Sequence, residues 1–564
     1  MYFEQITTPG LGCFSYAVGC PKAGVMAVAD PRRDTGVYHR IAEENGMRIT
    51  HIFDTHVHAD HISGAQQLRA ETGADIYIHE NADIKYDAKK LKGGETFTLG
   101  NAYIRVLHTP GHTPNSISLL VSDLTRSSEP EMILTGDLLF VGDAGRPDLI
   151  GEENLDEQAA NLYGSLYNTL GGLPDYLEVY PGHGQGSLCG RGMSAKPHST
   201  LGYERLANPM LQFGEFADFK QAVTENLPMR PKSFSAIIHG NMNTIPAVSP
   251  SEDLTGYALS ADEAGALLKD GATPLDLRDA LSFGAAHIPG SINIDASSGA
   301  MLNWIGMAIP PGAPFILVLP ADKRFAEMLL ELRRIGYDRD IKGWLKDGIS
   351  AWIDGGRETR RLPHISAQAL RSRLAAAGSA PPVLLDVRSP QEFGEMNIKG
   401  SVNIPFDRLP DVGFTKDEEI IIVCLSGFRS GIAAGMLLAL GYANVSVLSG
   451  GMGAWIMSGP VVITPGQAKA MMEDGDPYVL VDVRSESEFK CGYIEGAILI
   501  PYDRIADQAP TMLPDKTVRI LVYCRSGNRS ALAARTLAEL GYAGVFDFGG
   551  LNNWTYGTVI QKTC

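Results

Sequence analysis

Cysteine is scarce in this chain, seven residues among 564, and that scarcity excludes a fold stapled by disulfides. Cys13, Cys20, Cys189, Cys424, Cys491, Cys524 and Cys564 are odd in number and widely spread, so free thiols are expected and a special one is reactive rather than structural. Long apolar runs are missing too. No stretch of about 18 apolar residues occurs, and the start MYFEQITTPGLGCFSYAVGC lacks the basic and apolar segments of a signal peptide. A cytoplasmic protein with no membrane partner is expected. Positive charge is in deficit, with 48 Lys and Arg against 65 Asp and Glu and a formal net charge of -17. The imbalance gives no general pull toward nucleic acid or an anionic bilayer, which leaves small-molecule chemistry.

The chain is too long for one core and predicts roughly three to five domains. Its second half repeats. PLDLRDALSFGAAHIPGSINI begins at 274, LLDVRSPQEFGEMNIKGSVNIP at 384 and LVDVRSESEFKCGYIEGAILIP at 480, and each copy runs on through an apolar strand, a short loop and a helix toward Trp352, Trp455 or Trp554. Continuous apolar strands alternating with helices predict α/β domains with parallel sheets. In such sheets the working site lies where a strand's carboxyl end turns into a helix. Cys424 and Cys524 stand at that turn, each followed by a Ser-Gly loop, an arginine (Arg429, Arg529) and a helix. Amide donors, the positive helix end and the arginine together stabilise an anion, so a thiolate is expected near neutral pH. One such cysteine alone reads as core packing; the same spacing twice argues for chemistry.

CRSGNRS at 524–530 and CLSGFRS at 424–430 resemble the active loop of the rhodanese family. The resemblance implies sulfur transfer through persulfides on Cys524 and Cys424. It also implies that the loop amides with Arg529 and Arg429 hold the persulfide or incoming thiosulfate, and that Arg525 is an added substrate contact. The first copy departs: Pro320, in LPADKRF, stands where the others have cysteine. Without a thiol no persulfide forms, so that copy is expected to be a spacer or docking unit. The expected domains are residues 1–248, then rhodanese-like domains at 249–358, 359–459 and 460–564.

Residues 1–248 carry THVHADH (55–61), TPGHTPNS (109–116), LTGDLLF (134–140) and YPGHG (180–184). Each sets a histidine or aspartate beside a glycine or an apolar strand, as expected of metal ligands presented from loops at strand ends. The candidates are His56, His58, Asp60, His61, His112, Asp137 and His183. A lone histidine is ordinarily a satisfied polar residue; seven candidates in four such segments are not.

Their set and order resemble the metallo-β-lactamase fold, an αββα sandwich. A dinuclear member would place one metal on His56, His58, His112 and Asp137, and the other on Asp60, His61, Asp137 and His183. The segment TGDLLFVGDAGRPDL resembles the persulfide dioxygenase branch, which implies one Fe(II) per chain on His56, His112 and Asp137. A two-histidine, one-carboxylate face leaves positions open for substrate sulfur and dioxygen. His58, Asp60, His61 and His183 would then orient ligands and bound species. The implied partners are a small thiol persulfide, O2, sulfite and thiosulfate. Rhodanese and dioxygenase chemistry share the persulfide, which the alternatives do not: a glyoxalase II-like thioester hydrolase with two Zn, or a persulfide-sensing regulator. Arg146 either holds the anionic carrier or pairs with Asp148, the second reading being preferred. Cys189 reads as a packed thiol, with sulfur relay as the other possibility. Short linkers at 355–366 and 457–464 favour a diffusible carrier over a swinging arm, and a homo-oligomer is left open.

Overall fold

The computed structural model describes residues 1–225, 227–248, 252–375, 382–398, 400–516, 518–540, 542 and 544–559. It divides into two compact units, Met1–Arg360 and Arg361–Cys564.

The first unit opens as a sandwich of two six-stranded sheets. In one, Tyr2–Thr8, Cys13–Cys20, Val25–Ala29, Arg48–Phe53, Asp75–His79 and Lys89–Leu91 follow in sequence order; in the other the order is Ser199–Thr200, Glu178–Pro181, Met132–Gly136, Ile117–Asp123, Ala102–His108 and Thr96–Leu99. Strand Cys13–Cys20 is buried along its whole length, as both its faces are covered. On the inner face Phe14, Tyr16 and Val18 join Phe53, Ile104, Leu119 and Leu134. Phe53 is fully buried, and truncating such a side chain to alanine costs about 3–5 kcal/mol. Helices Gly36–Glu44 and Ala65–Thr72 cover the outer face of the first sheet through Tyr38, Ile41 and Leu68. Helices Leu155–Gly164 and Phe216–Thr224 cover the second through Leu162 and Phe219. The layers are therefore αββα.

The same unit holds the first repeat, a five-stranded parallel sheet in the order Ala258–Leu259, Ile341–Leu345, Phe315–Val318, Thr273–Asp276 and Ile292–Asn293. At the carboxyl end of Phe315–Val318, where a thiol would sit, Pro320 is exposed. This module is stitched to the sandwich by polar contacts. Arg33 pairs with Asp338 at 3.0 Å, the Ile62 amide donates to the Arg334 carbonyl at 2.6 Å, and the Asn303 amide group donates to the Gly186 carbonyl at 3.2 Å.

The second unit contains two further five-stranded parallel sheets with the same strand order. All three repeats bury one short-range ion pair at the end of a central strand: Arg278 with Asp276, Arg388 with Asp386 and Arg484 with Asp482, each at 2.6 Å. Cys13, Cys20, Cys189, Cys424 and Cys524 are free thiols, but Cys491 stands in a disulfide, which corrects the expectation of free thiols at that position. Spacing along the chain carried no sign of this pairing. Among the described residues no helix is long and apolar enough to cross a membrane.

Candidate metal centre and cysteine loops

Four chain segments deliver the candidate ligands to one edge of the sandwich. Strand Arg48–Phe53 ends just before the loop that carries His56, His58, Asp60 and His61. Met132–Gly136 and Glu178–Pro181 run parallel and adjacent, so Asp137 and His183 emerge side by side. That approach needs glycines. Gly136 has φ 50°, and a Cβ there would lie 2.7 Å from Thr55 Oγ1. A Cβ at Gly182 would lie 2.5 Å from Asp137 Oδ1. All seven candidates are buried, none more than 5% exposed.

Hydrogen bonds fix which ring nitrogens are free. His112 Nδ1 donates to the Arg146 carbonyl at 2.9 Å, which leaves Nε2 with its lone pair. Thr55 Oγ1 donates to Asp30 Oδ2 at 2.8 Å and accepts from His56 Nδ1 at 3.0 Å, so His56 Nε2 is free in the same way. Those two nitrogens and Asp137 Oδ2 have no hydrogen-bond partner. They converge: Asp137 Oδ2 lies 3.2 Å from His112 Nε2 and 3.9 Å from His56 Nε2, and one ligand atom from each residue falls within 4.8 Å of the others. Burial, with His58 nearby, keeps His56 well below the usual imidazole range, and burial lowers His112. Burial works against ionisation of Asp137, but His183 and His112 outweigh it and hold the carboxyl well below its ordinary value. Two neutral imidazoles and a carboxylate with unsatisfied lone pairs form a donor set that a divalent metal cation would satisfy.

His183 is differently employed. Its Nδ1 donates to Asp137 Oδ1 at 2.7 Å and its Nε2 to Asp60 Oδ2 at 2.8 Å. Both partners are carboxylates, which favour a charged ring. Burial opposes that charge, and Asp137 and Asp60 overcome it. Asp60 also binds His61 Nδ1 through Oδ1 at 3.1 Å. His58 donates through Nε2 to Asp30 Oδ1 at 3.1 Å, and its Nδ1 has no partner. It groups with Asp60 and His61, or with Asp30 and Asp54, rather than with the triad.

Arg146 places Nε and Nη2 on the Asp148 carboxylate at 2.6 and 2.7 Å and Nη1 on the Leu188 carbonyl at 3.1 Å. Its guanidinium is thereby committed to fixing the loop. Cys189 lies with Asp137 and His183, and burial pushes its thiol up to about 12, so it is protonated near neutral pH.

Sequence reasoning missed four residues here. Asp30, at φ 50°, organises Thr55 and His58. Asn241 donates to the carbonyls of His58 and His61 at 2.9 and 2.8 Å and accepts from the Ser63 amide at 2.9 Å. Asn115 accepts from the Val57 amide at 2.8 Å. Cys13 donates its thiol to Asp60 Oδ2 at 3.0 Å. An aspartate closing the apolar strand before Pro31 was a readable sign for Asp30; the other three had none.

In the second unit, Cys424 and Cys524 are buried at the strand ends, followed by helices Phe428–Ala439 and Asn528–Glu539. Burial raises the Cys524 thiol, but hydrogen bonds from Ser530 and the Gly527 and Ser526 amides bring it below its ordinary value. Arg429 binds Glu392 at 2.8 and 2.6 Å, and Arg529 binds Glu488 at 2.7 and 2.8 Å. Both glutamates also close a capping box at a helix start. In the first repeat Ser282 stands at that place, so the glutamate is absent together with the cysteine.

The rhodanese-like domain family matches residues 260–354, 366–458 and 464–556, and the metallo-beta-lactamase superfamily matches residues 33–183. A hydroxyacylglutathione hydrolase of Nitrosococcus oceani is 34% identical over 191 residues, 32% of this chain and 66% of that protein. The mitochondrial persulfide dioxygenase of Mus musculus is 27% identical over 252 residues, 44% of this chain and 90% of that protein. A solved metallo-beta-lactamase of Staphylococcus aureus superposes with a TM-score of 0.55 at 31% identity, covering 61% of this chain and 98% of that one. The chain spans a little under two thirds of the length of the hydroxyacylglutathione hydrolases it matches.

Proposed function

Because the chain belongs to the metallo-β-lactamase superfamily and carries three rhodanese-like domains, we propose that it oxidises a small thiol persulfide with dioxygen at one Fe(II) and exchanges sulfur with thiosulfate at Cys424 and Cys524. Overall, persulfide, dioxygen and water give thiol, sulfite and protons. The observation that carries this reading is the division of labour at the centre. His56 Nε2, His112 Nε2 and Asp137 Oδ2 are left without partners, while His183 spends both nitrogens on carboxylates.

Fe(II) held by His56, His112 and Asp137 would supply dioxygen activation and open positions for substrate sulfur. The chain's own groups do the rest. Asp30 through Thr55 aims His56, and the Arg146 carbonyl aims His112. His183 holds a proton at Nε2 against Asp60. Burial of all seven side chains keeps bulk water from the reacting sulfur.

The fusion also supports this reading, since sulfur transfer and persulfide oxidation share an intermediate, and so does the similarity to a persulfide dioxygenase. A second reading, a zinc thioester hydrolase, draws support from the free Nδ1 of His58 and from the similarity to hydroxyacylglutathione hydrolases. Metal analysis beside an oxygen electrode separates the two. One iron per chain with oxygen uptake on added glutathione persulfide is expected. Two zinc ions with thioester hydrolysis and no oxygen uptake would hand the site to the hydrolase.

A further inference from the structure

A cavity of about 350 Å³ opens between the second and third repeats, and neither cysteine lines it. Its size is at the lower end of the range for small-molecule sites. On one side the half-buried Arg371, on helix Ala367–Ala375, holds its guanidinium 3.9 Å from the centre of the Trp455 ring, a cation over an aromatic face. Its Nε donates to Ser458 Oγ at 2.9 Å, its Nη2 to the Trp455 carbonyl at 2.8 Å and its Nη1, across the boundary between the repeats, to the Ala538 carbonyl at 3.4 Å. All three acceptors are uncharged. A guanidinium carries five N–H donors, so donors are left over, and the charge has no ion-pair partner among the described residues. Burial lowers Arg371 below the ordinary guanidinium range, with the nearby Glu539 working the other way. One wall of the cavity is helix Asn528–Glu539, which leaves the Cys524 loop and presents Leu532, Arg535, Thr536 and Glu539 at helical spacing. The facing wall is the end of helix Pro390–Glu395, whose Glu392 binds Arg429, with Met396 and Asn397 just beyond it. Met396 and Leu532 are exposed apolar side chains. Arg535 is exposed and has no ion pair among the described residues.

We propose that this cavity binds a small amino-acid zwitterion with an apolar side chain, its carboxylate on Arg371 and Arg535, its carbon body between Met396 and Leu532, and its ammonium toward Glu395 and Glu539. The charges that line the cavity decide the class. Two guanidiniums without carboxylates of their own attract an anion, and their planar N–H donors match the two oxygens of a carboxylate. Glu395 and Glu539 line the same cavity, are exposed and stand in no ion pair among the described residues. They repel a second negative charge on the ligand and attract an ammonium, so a dianion fits poorly and a zwitterion well. Met396 and Leu532 offer apolar surface that a carbon side chain covers, which removes both from water. Because the walls belong to different repeats, a bound ligand also ties the two repeats together and stabilises the second unit by mass action. Neither iron nor a reactive thiol is needed for this binding.

Isothermal titration calorimetry on the full-length chain tests this with three probes that share a carbon skeleton: L-leucine, 4-methylpentanoate, which lacks the ammonium, and 3-methylbutylamine, which lacks the carboxylate. One leucine per chain is expected, with a Kd on the order of 0.1–1 mM for a ligand of about nine heavy atoms. The acid should bind about tenfold more weakly and the amine more weakly still. Arg535→Gln and Leu532→Glu alter exposed side chains and leave the cores intact; each should weaken leucine about tenfold, the first less so at high salt. Arg371→Met should abolish binding, with circular dichroism reporting whether that variant folds, and the two exposed changes decide the matter if it does not. No heat from leucine at about ten times the upper Kd overturns the proposal. Binding that Arg535→Gln and Leu532→Glu both leave unchanged places the ligand elsewhere and overturns it as well. Equal affinity for leucine and the plain acid overturns the zwitterion assignment, because Glu395 and Glu539 then contribute nothing.

Discussion

Arg334 grips Asp34 through two parallel hydrogen bonds of 2.9 and 3.0 Å, and its carbonyl accepts the amide of Ile62, the residue after His61. The last turn of a helix in the cysteine-less module is thus fastened to the loop that carries the candidate metal-site histidines. Arg334→Ala leaves a largely buried Asp34 with Arg32, at 2.9 Å, as its one ion-pair partner among the described residues, and should cost about 1–3 kcal/mol. A lower unfolding temperature of the full-length chain, with weaker retention of iron during dialysis, is the expected outcome. Unchanged values in both would show that the contact is incidental.

Asp137→Asn keeps the shape of the side chain and removes the only carboxylate of the triad. Iron per chain should fall toward zero and oxygen uptake at least about 100-fold, with the circular dichroism of the chain preserved. His58→Ala should keep its iron, because His58 hydrogen-bonds Asp30 and groups away from the triad. Loss of iron in that variant would make His58 a ligand and favour a larger donor set.

The cluster of candidate ligands could be read in advance because they lie in short local patterns, a histidine or aspartate beside a glycine at a strand end. The parallel sheets were legible for a related reason: strands such as Phe315–Val318, buried on every residue, are continuous apolar runs. What stayed hidden depends on contacts between distant parts of the chain. Asn241 reaches His58 and His61 across 183 and 180 residues, and nothing in its own neighbourhood of sequence marks it. Cys13 looked like any strand-initiating apolar residue until the fold set it against Asp60.

The glutamates beside the two cysteine loops give the second unit a predictable acid response. Burial raises Glu392, but hydrogen bonds from Arg429 and Ser389 bring it down to about 2, and the bond from Arg529 is the main cause of a similar value at Glu488. Both pKa values are depressed on folding, so the stabilisation they contribute is complete above the unfolded carboxylate value of about 4.3. It drains away as the pH falls through the folded value of about 2. Urea midpoints for this unit should drop between pH 5 and pH 3, and the drop should shrink in Glu392→Gln, a variant that loses the charge throughout.

Pro320 leaves the first repeat without a nucleophile, and Ser282 leaves it without the glutamate partner of a loop arginine. A full-length chain with both Cys424→Ser and Cys524→Ser should therefore form no thiocyanate from thiosulfate and cyanide. Residual thiocyanate would point to another thiol, with Cys189 the first to replace.

The bond between Arg334 and Asp34 spans 300 residues of sequence, and this sets an order of events during synthesis. Domains ordinarily fold as they leave the ribosome, amino terminus first. Here the sandwich emerges complete in its strands but without the acceptor for the Ile62 amide, which lies in a helix translated much later. Until that helix arrives, the histidine loop lacks one of its anchors, which the first repeat supplies.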